Sequence, residues 1–493
     1  MSRTKVMARF GMVAVAVTAL VLSGLVAPVS AKHRNQTSLV SLTQRGGQPR
    51  SGVTEGVEVS ADGRYVAFES ESPDLVLTDT NGLRDVFVRD TVSNTTTQVS
   101  VPHPGGNSNG TSWLEDMTPD GRFIVYTSSA SNIDRAIPDT NEALDVFVYD
   151  TRLRSTARAS AAVVNGTVIE GNGNSLDGSI SDDGSRVAFT TLATNLAANH
   201  PPQGLINLPQ VVVKGWAGAT WSLVSVDETA RPLLAGHHPE ISGTGFAVAF
   251  TGIEHTGEGP ARHMGLRVKW ETVPGVPSSS GSQLLHRWYP ANSYDDPEPA
   301  VSRNGLTVVF VTGDPLVSAD GNGGADVYVA SVSYWGLRQP SFELLTTQAQ
   351  PRPGFEDEGI HQHPVVSADG NKVAYRATDG SGGSHIYRID RTQPGTAPQI
   401  VDAAYSTGAP GNGDALAFAI SAQGDHVAFN SVATDLVSVD ANGKADTFLW
   451  DAVHCRQTEP TEGLVPSEPW WLPCLEIKID PDSVGDWWKK FGF

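Results

Sequence analysis

The chain has 493 residues, enough for several ordinary domains or one large repeat architecture, and its 39% of hydrophobic residues come with 50 Gly and 31 Pro. A formal charge of −20, from 54 acidic against 34 basic residues, repels phosphate backbones and excludes a basic nucleic-acid footprint. Composition of this kind favours short strands joined by many turns over helices.

Residues 1–31 read as a secretory leader. Arg3, Lys5 and Arg9 make a basic start, Phe10 to Ala27 is largely apolar, and Val29-Ser30-Ala31 offers small residues for cleavage after Ala31. An uncleaved anchor is the alternative. No later apolar run is long enough to span a bilayer.

Beyond the leader one unit repeats. Its first half is a turn feeding a strand, Ser60-Ala-Asp-Gly-Arg-Tyr-Val-Ala-Phe68, and its second half is a polar loop feeding another, Asp79-Thr-Asn-Gly-Leu-Arg-Asp-Val-Phe-Val-Arg-Asp90. The turn glycine recurs about every sixty residues, as Gly63, Gly121, Gly184, Gly245, Gly305, Gly370 and Gly424. Each copy supplies a short apolar run before the turn, a strand ending in Phe or Tyr, a third strand such as Val146-Phe-Val, and a Ser/Thr-rich fourth. Seven copies of four antiparallel strands predict an all-β, seven-bladed β-propeller over residues 32–451. Thr37-Ser-Leu-Val-Ser-Leu42 matches Thr96-Thr-Gln-Val-Ser-Val101, a fourth strand with no first three before it. It is expected to complete the seventh blade and close the ring.

The Ser-x-Asp-Gly turns ahead of Val-Ala-Phe strands resemble the TolB-type, WD40-like propeller repeat family, over roughly residues 37 to 451. The resemblance implies the fold; propellers host unrelated activities. TolB-type proteins bind envelope proteins, but the N-terminal α/β domain of TolB has no counterpart in the sequence after the leader.

Residues 452–493 break the repeat. They hold Trp470, Trp471, Trp487 and Trp488, expected as a strap on the propeller or an exposed patch for a partner or glycan. Cys455 and Cys474 are expected to form a disulfide in an exported chain.

Three sets of residues could carry chemistry. The polar loops place oxygen side chains at fixed spacing: Asp79, Asn81 and Asp85; Asp139, Asn141 and Asp145; Asp320, Asn322 and Asp326; Asp440, Asn442 and Asp446. Four such loops suit calcium, which takes six to eight oxygens, and suit equally turns in which Asp and Asn bond nearby amides. A sixth copy, Asp379-Gly-Ser381-Gly-Gly-Ser-His385, ends in His. The second set lies at the entrance of the innermost strands: Glu58, Asp116, Asp177, His238, Glu240, Glu298 and His363, with His237 and His361 adjacent. It reads as solvated channel lining or as a metal or acid–base cluster. The metal-and-histidine channel of oligogalacturonate lyases, which resemble TolB-type propellers, is the precedent for the latter. Third, a serine-hydrolase elbow, a phosphate-binding loop and a His-Glu-x-x-His stretch are not found.

The sequence therefore predicts an exported, monomeric, non-enzymatic binding propeller for an envelope or extracellular protein or glycan, with calcium as the one candidate cofactor. The alternative is a polysaccharide-active lyase or hydrolase using His238, Glu240, Glu298 and His363.

Overall fold

The computed structural model describes residues 37–452, apart from 103–104, 135–136, 138, 165–166, 197–207, 216–220, 255–262, 272–280, 289–297, 322–323, 347–363 and 379–382. The leader, Asn322, His361, His363, Asp379, Ser381, both cysteines and the aromatic tail lie outside the described residues.

Seven four-stranded antiparallel sheets follow one another, each with its strands in chain order from inner to outer. The inner strands are Val53–Val59, Ser112–Met117, Ser175–Ile180, Ala235–Ile241, Ala300–Val301, Val365–Val366 and Ala415–Ile420. The last blade takes its outer strand from the other end of the chain, Thr37–Leu39, which pairs with Asp446–Asp451 in the register Thr37↔Trp450, Ser38↔Leu449, Leu39↔Phe448. Two features fall outside the repeat: a hairpin, Ala161–Val164 with Thr167–Glu170, and a single 3₁₀ turn at Tyr334–Gly336.

The repeated turn explains the blade. In the first copy Gly63 takes φ 68°, a backbone that Gly adopts without strain, and its N–H donates to the Ser60 carbonyl at 3.0 Å. The Ser60 hydroxyl donates to Asp62 at 2.7 Å and accepts the Tyr65 amide at 2.8 Å, which starts the second strand in register. Second and third strands then lie inside the blade stack and read as continuous apolar runs. Their aromatic ends stack across the pair, with Phe68–Phe87 centroids 6.0 Å apart, Tyr126–Phe147 5.5 Å and Phe429–Phe448 5.5 Å.

The same turns join the blades. Each turn glycine lies against the side chain two residues past the turn glycine of the blade before it: Gly121 on Tyr65, Gly184 on Phe123, Gly424 on Lys372. Gly63 lies on His426 in the same way, where a Cβ would sit 2.5 Å from the imidazole, so blade 1 meets blade 7 by the contact used elsewhere. Backbone bonds link turn to turn, from the Ala61 amide to the Pro119 carbonyl at 2.7 Å, Asp182 to Gly243 at 3.0 Å, Arg303 to Ala368 at 3.0 Å and Ala368 to Ala422 at 2.8 Å. The turns thus form a bonded collar around one end of the axis.

Candidate axial site

Away from the collar the inner strands depart from regular pairing. In blade 3 Leu176 pairs with Thr190 and Ser179 with Ala188, so the inner strand advances three residues while its partner advances two. The same excess occurs between His237 and Glu240, between Leu114 and Asp116, and between Ala415 and Phe418; in blade 1 it spans Val53 to Val57. Such β-bulges re-aim side chains and are enriched next to functional sites. Two bulged residues, Asp177 at φ 54° and His238 at φ 50°, hold a left-handed backbone without being glycine, a conformation kept only where the surroundings enforce it.

The residues inserted by the bulges line one cavity of about 460 Å³. Blades 1 to 5 face it with Glu55, Glu69, Glu115, Asp177, Glu240 and Glu298, and with His238. Blade 7 faces it with Leu416, Ala417 and Phe418, and Trp113, Leu114 and Leu176 complete the apolar part of the wall. A second cavity of about 220 Å³ lies toward the collar, lined by Glu58, Asp116, Asp182 and Arg303 among others; Glu115 and Glu240 border both.

A bulge frees backbone amides and carbonyls that the ladder would otherwise pair. Here the residue after the second-strand aromatic supplies the missing partner to the next blade. The Glu69 carboxylate accepts the Leu114 amide at 2.6 Å and the Thr54 hydroxyl at 2.8 Å. Arg376 donates to the Leu416 carbonyl at 3.2 Å, and the Asn430 amide donates to the carbonyls of Thr54 at 2.6 Å and Gly56 at 3.3 Å. The equivalent Thr127 hydroxyl donates to Glu115 within its own blade.

The carboxyls of the axis crowd one another. Burial pushes Asp116 up to about 7, although it accepts the Met117 amide at 2.6 Å, the Ile180 amide at 2.7 Å and the Ser179 hydroxyl at 3.2 Å. Burial, then the charges of Asp116 and Glu240, lift Glu58 well above the usual carboxylate range; burial and Asp116 do the same to Glu240. Burial and the neighbouring Asp177 raise Glu115. His238 Nε2 lies 4.0 Å from Glu298 Oε1. Among the described residues no three or more His, Cys, Asp or Glu side chains are grouped to hold a metal ion.

The structure thus brings Asp177, His238, Glu240 and Glu298 together in the larger cavity and Glu58 and Asp116 beside Glu240 in the smaller, while His237 packs edge-on to His238 with ring centroids 5.0 Å apart. Glu55, Glu69, Glu115 and the apolar wall were not singled out by the sequence. One signal for Glu69 was present: Thr127, Thr190 and Thr251 occupy its place in the next three copies.

The polar loops have a different geometry. The third-strand carboxylate accepts a hydroxyl from the end of the outer strand: Ser100 to Asp85 at 2.5 Å, Thr346 to Asp326 at 2.6 Å, Ser41 to Asp446 at 2.5 Å, and likewise Ser160 to Asp145. The hydroxyl in turn accepts the next amide of the third strand, as Ser100 does from Val86 at 3.0 Å. Blade 6 inverts the pair, with His385 Nδ1 2.7 Å from Asp402 Oδ2. Asn81 turns its amide nitrogen, not its oxygen, to Asp85 at 2.8 Å, and its oxygen accepts the Leu83 amide at 2.9 Å. Asp139 accepts the amides of Asn141 at 3.2 Å and Glu142 at 3.1 Å; Asn442 accepts that of Lys444 at 3.0 Å; Asp440 accepts Gln48 at 2.9 Å; Asp320 accepts the Tyr328 hydroxyl. Asn141 accepts the Ala143 amide at 2.7 Å, and burial with the charge of Asp85 lifts Asp79 to about 6. As arranged, these oxygens point at separate donors and do not converge on one centre.

No protein-family model matches the chain, and no curated protein matches it. Solved structures are similar in fold. TolB from Acinetobacter baumannii is 14% identical over 82% of this chain and 81% of its own, with a TM-score of 0.36. The β-propeller domain of Cps50 (Swd1) from Myceliophteria thermophila is 11% identical over 84% of this chain and 99% of its own, at 0.43. A puromycin-hydrolysing peptidase from Mycobacterium tuberculosis is 13% identical over 81% of this chain and 53% of its own, at 0.44. At these identities the likeness is one of fold, and the chain is a seven-bladed propeller of the TolB-type, WD40-like kind.

Proposed function

We propose that this is an exported binding propeller that receives part of an envelope or extracellular partner in the wide mouth of its axis. One observation carries the reading: the bulges, the departures from the repeat, deliver their residues to a single cavity of about 460 Å³. That volume falls in the range of ligand sites, and its apolar wall with a few polar groups is the usual make-up of one.

A photo-crosslinking residue at Ala417, inside the mouth, tests this in the native host against the same probe at Val92, an exposed position next to the blade 1 outer strand. A discrete adduct from Ala417 alone supports the reading; identical patterns from both positions overturn it.

The His238–Glu298 approach of 4.0 Å favours a second reading, a lyase or hydrolase acting on polysaccharide with His238, Glu240 and Glu298. The carboxyl-rich lining turns that reading toward neutral or basic glycans, because an acidic chain would be repelled. Turnover on such a glycan that His238→Ala abolishes without lowering the thermal midpoint would establish it.

A further inference from the structure

We infer that the guest of the axial cavity carries a cationic group on an apolar stem, a lysine or arginine side chain or an alkylammonium of that shape. The inference rests on the binding reading above and deepens it.

The cavity has two unlike walls. On one side Glu115, Asp177, Glu240 and Glu298 project from four successive blades, and on the other Leu416 and Phe418 come from blade 7. Among the described residues that line it there is no Lys or Arg. The nearest guanidinium, Arg84, lies to one side, 3.5 Å from Glu69 and 3.8 Å from Glu55. His238 faces Glu298 alone at 4.0 Å. A carboxyl-rich wall with no countercharge of its own costs free energy to ionise, and it does so opposite a surface that cannot solvate charge. A neutral polar guest would leave that cost in place and an anion would raise it. A cation lets the carboxyls ionise, and its methylenes cover Leu416 and Phe418.

The consequence is chemical as well as electrostatic. The crowded carboxyls hold protons at neutral pH when the cavity contains no cation, so a cation entering must expel protons. Binding therefore tightens as pH rises.

Calorimetry on the mature protein at pH 7.5, in two buffers of different ionisation enthalpy, tests this with hexylammonium, hexanol, hexanoate, the peptide acetyl-Leu-Lys-Leu-amide and its acetyl-lysine form. Hexylammonium and the lysine peptide are expected to bind with proton release, and the other three not to bind. Glu115→Gln combined with Glu240→Gln should weaken binding by about tenfold or more and reduce proton release, with an unchanged or higher thermal midpoint as the control for folding. A peptide more than about tenfold tighter than the free amine assigns a polypeptide partner, and equal affinities assign a small amine. Hexanol or hexanoate binding as tightly as hexylammonium overturns the cation and leaves the binding reading standing. So does a discrete Ala417 adduct with no cationic probe bound. If neither probe nor adduct is found, both fall.

Discussion

The Asp-rich loops between second and third strands and the bulged inner strands at the axis are made of the same residue types, and they do opposite things. In the loops each acid has its own donors: Asp85 accepts Ser100, Ser108 and Asn81. At the axis acids face acids, and Glu58, Asp116 and Glu240 raise one another's affinity for protons. The loops also recur with little change, whereas the axis differs from blade to blade. Repetition marks what every blade needs in order to fold; departure from it marks what only the assembled ring can use.

The largest effect should come from breaking the repeated element. Asp85→Ala leaves the Ser100 and Ser108 hydroxyls and the Asn81 amide without their acceptor, and should cost about 3 kcal/mol in urea unfolding. Asp177→Asn at the axis should cost nothing or stabilise, since it removes a charge that opposes Glu115. A larger loss at Asp177 than at Asp85 would reverse the comparison.

Asn430→Ala should cost about 1–2 kcal/mol, because the Thr54 and Gly56 carbonyls lose their donor. Faster hydrogen exchange confined to the amides of 53–57 would show that the bulge is held by the neighbouring blade.

The axis should also leave a mark on pH dependence. Asp116 ionises near its ordinary 3.8 in the unfolded chain and near 7 in the fold, facing Glu58, Glu240 and Asp182. Over that interval the folded chain binds more protons, so stability falls as pH rises from about 4 to about 7. Asp116→Asn should flatten the thermal midpoint across this window. An equally steep fall in the variant would place its origin elsewhere.

The smallest effect is expected from calcium. The bonds in the loops predict a midpoint that moves by less than about one degree between excess EDTA and about 1 mM calcium, where a site of about 10 µM affinity would add about 2.7 kcal/mol and several degrees. A calcium-specific rise, lost in the double substitution Asp79→Ala with Asp85→Ala, would assign an ion to the loop instead.

The fold was legible because its signal is local turn chemistry copied seven times: the hydroxyl, carboxyl and glycine of Ser60-Ala-Asp-Gly63 specify the turn wherever they recur. Strand pairing followed from counting, down to Thr37–Leu39 as the seventh outer strand. The axis was half legible. Glu58, Asp116, Asp177, His238, Glu240 and Glu298 could be placed on inner strands, but a bulge adds a residue without changing composition, and Val53–Val59 reads as ordinary strand. Which acids would meet, and that Leu416 and Phe418 would oppose them, depends on pairing offsets that alternation does not encode. Glu69 was hidden inside an apolar run, where its role is to complete the blade beside it.

The short strand Thr37–Leu39 has a mechanical consequence. Thr37 pairs with Trp450, so the chain entering the propeller and the chain leaving it depart from the same end of one antiparallel pair. Tension between those two segments peels the pair open one bond at a time, like a zip, instead of loading all its bonds in shear. Such a pull is borne by three residue pairs of one blade. The other six blades, and the cavity they surround, stay out of the line of force until that strand has come away.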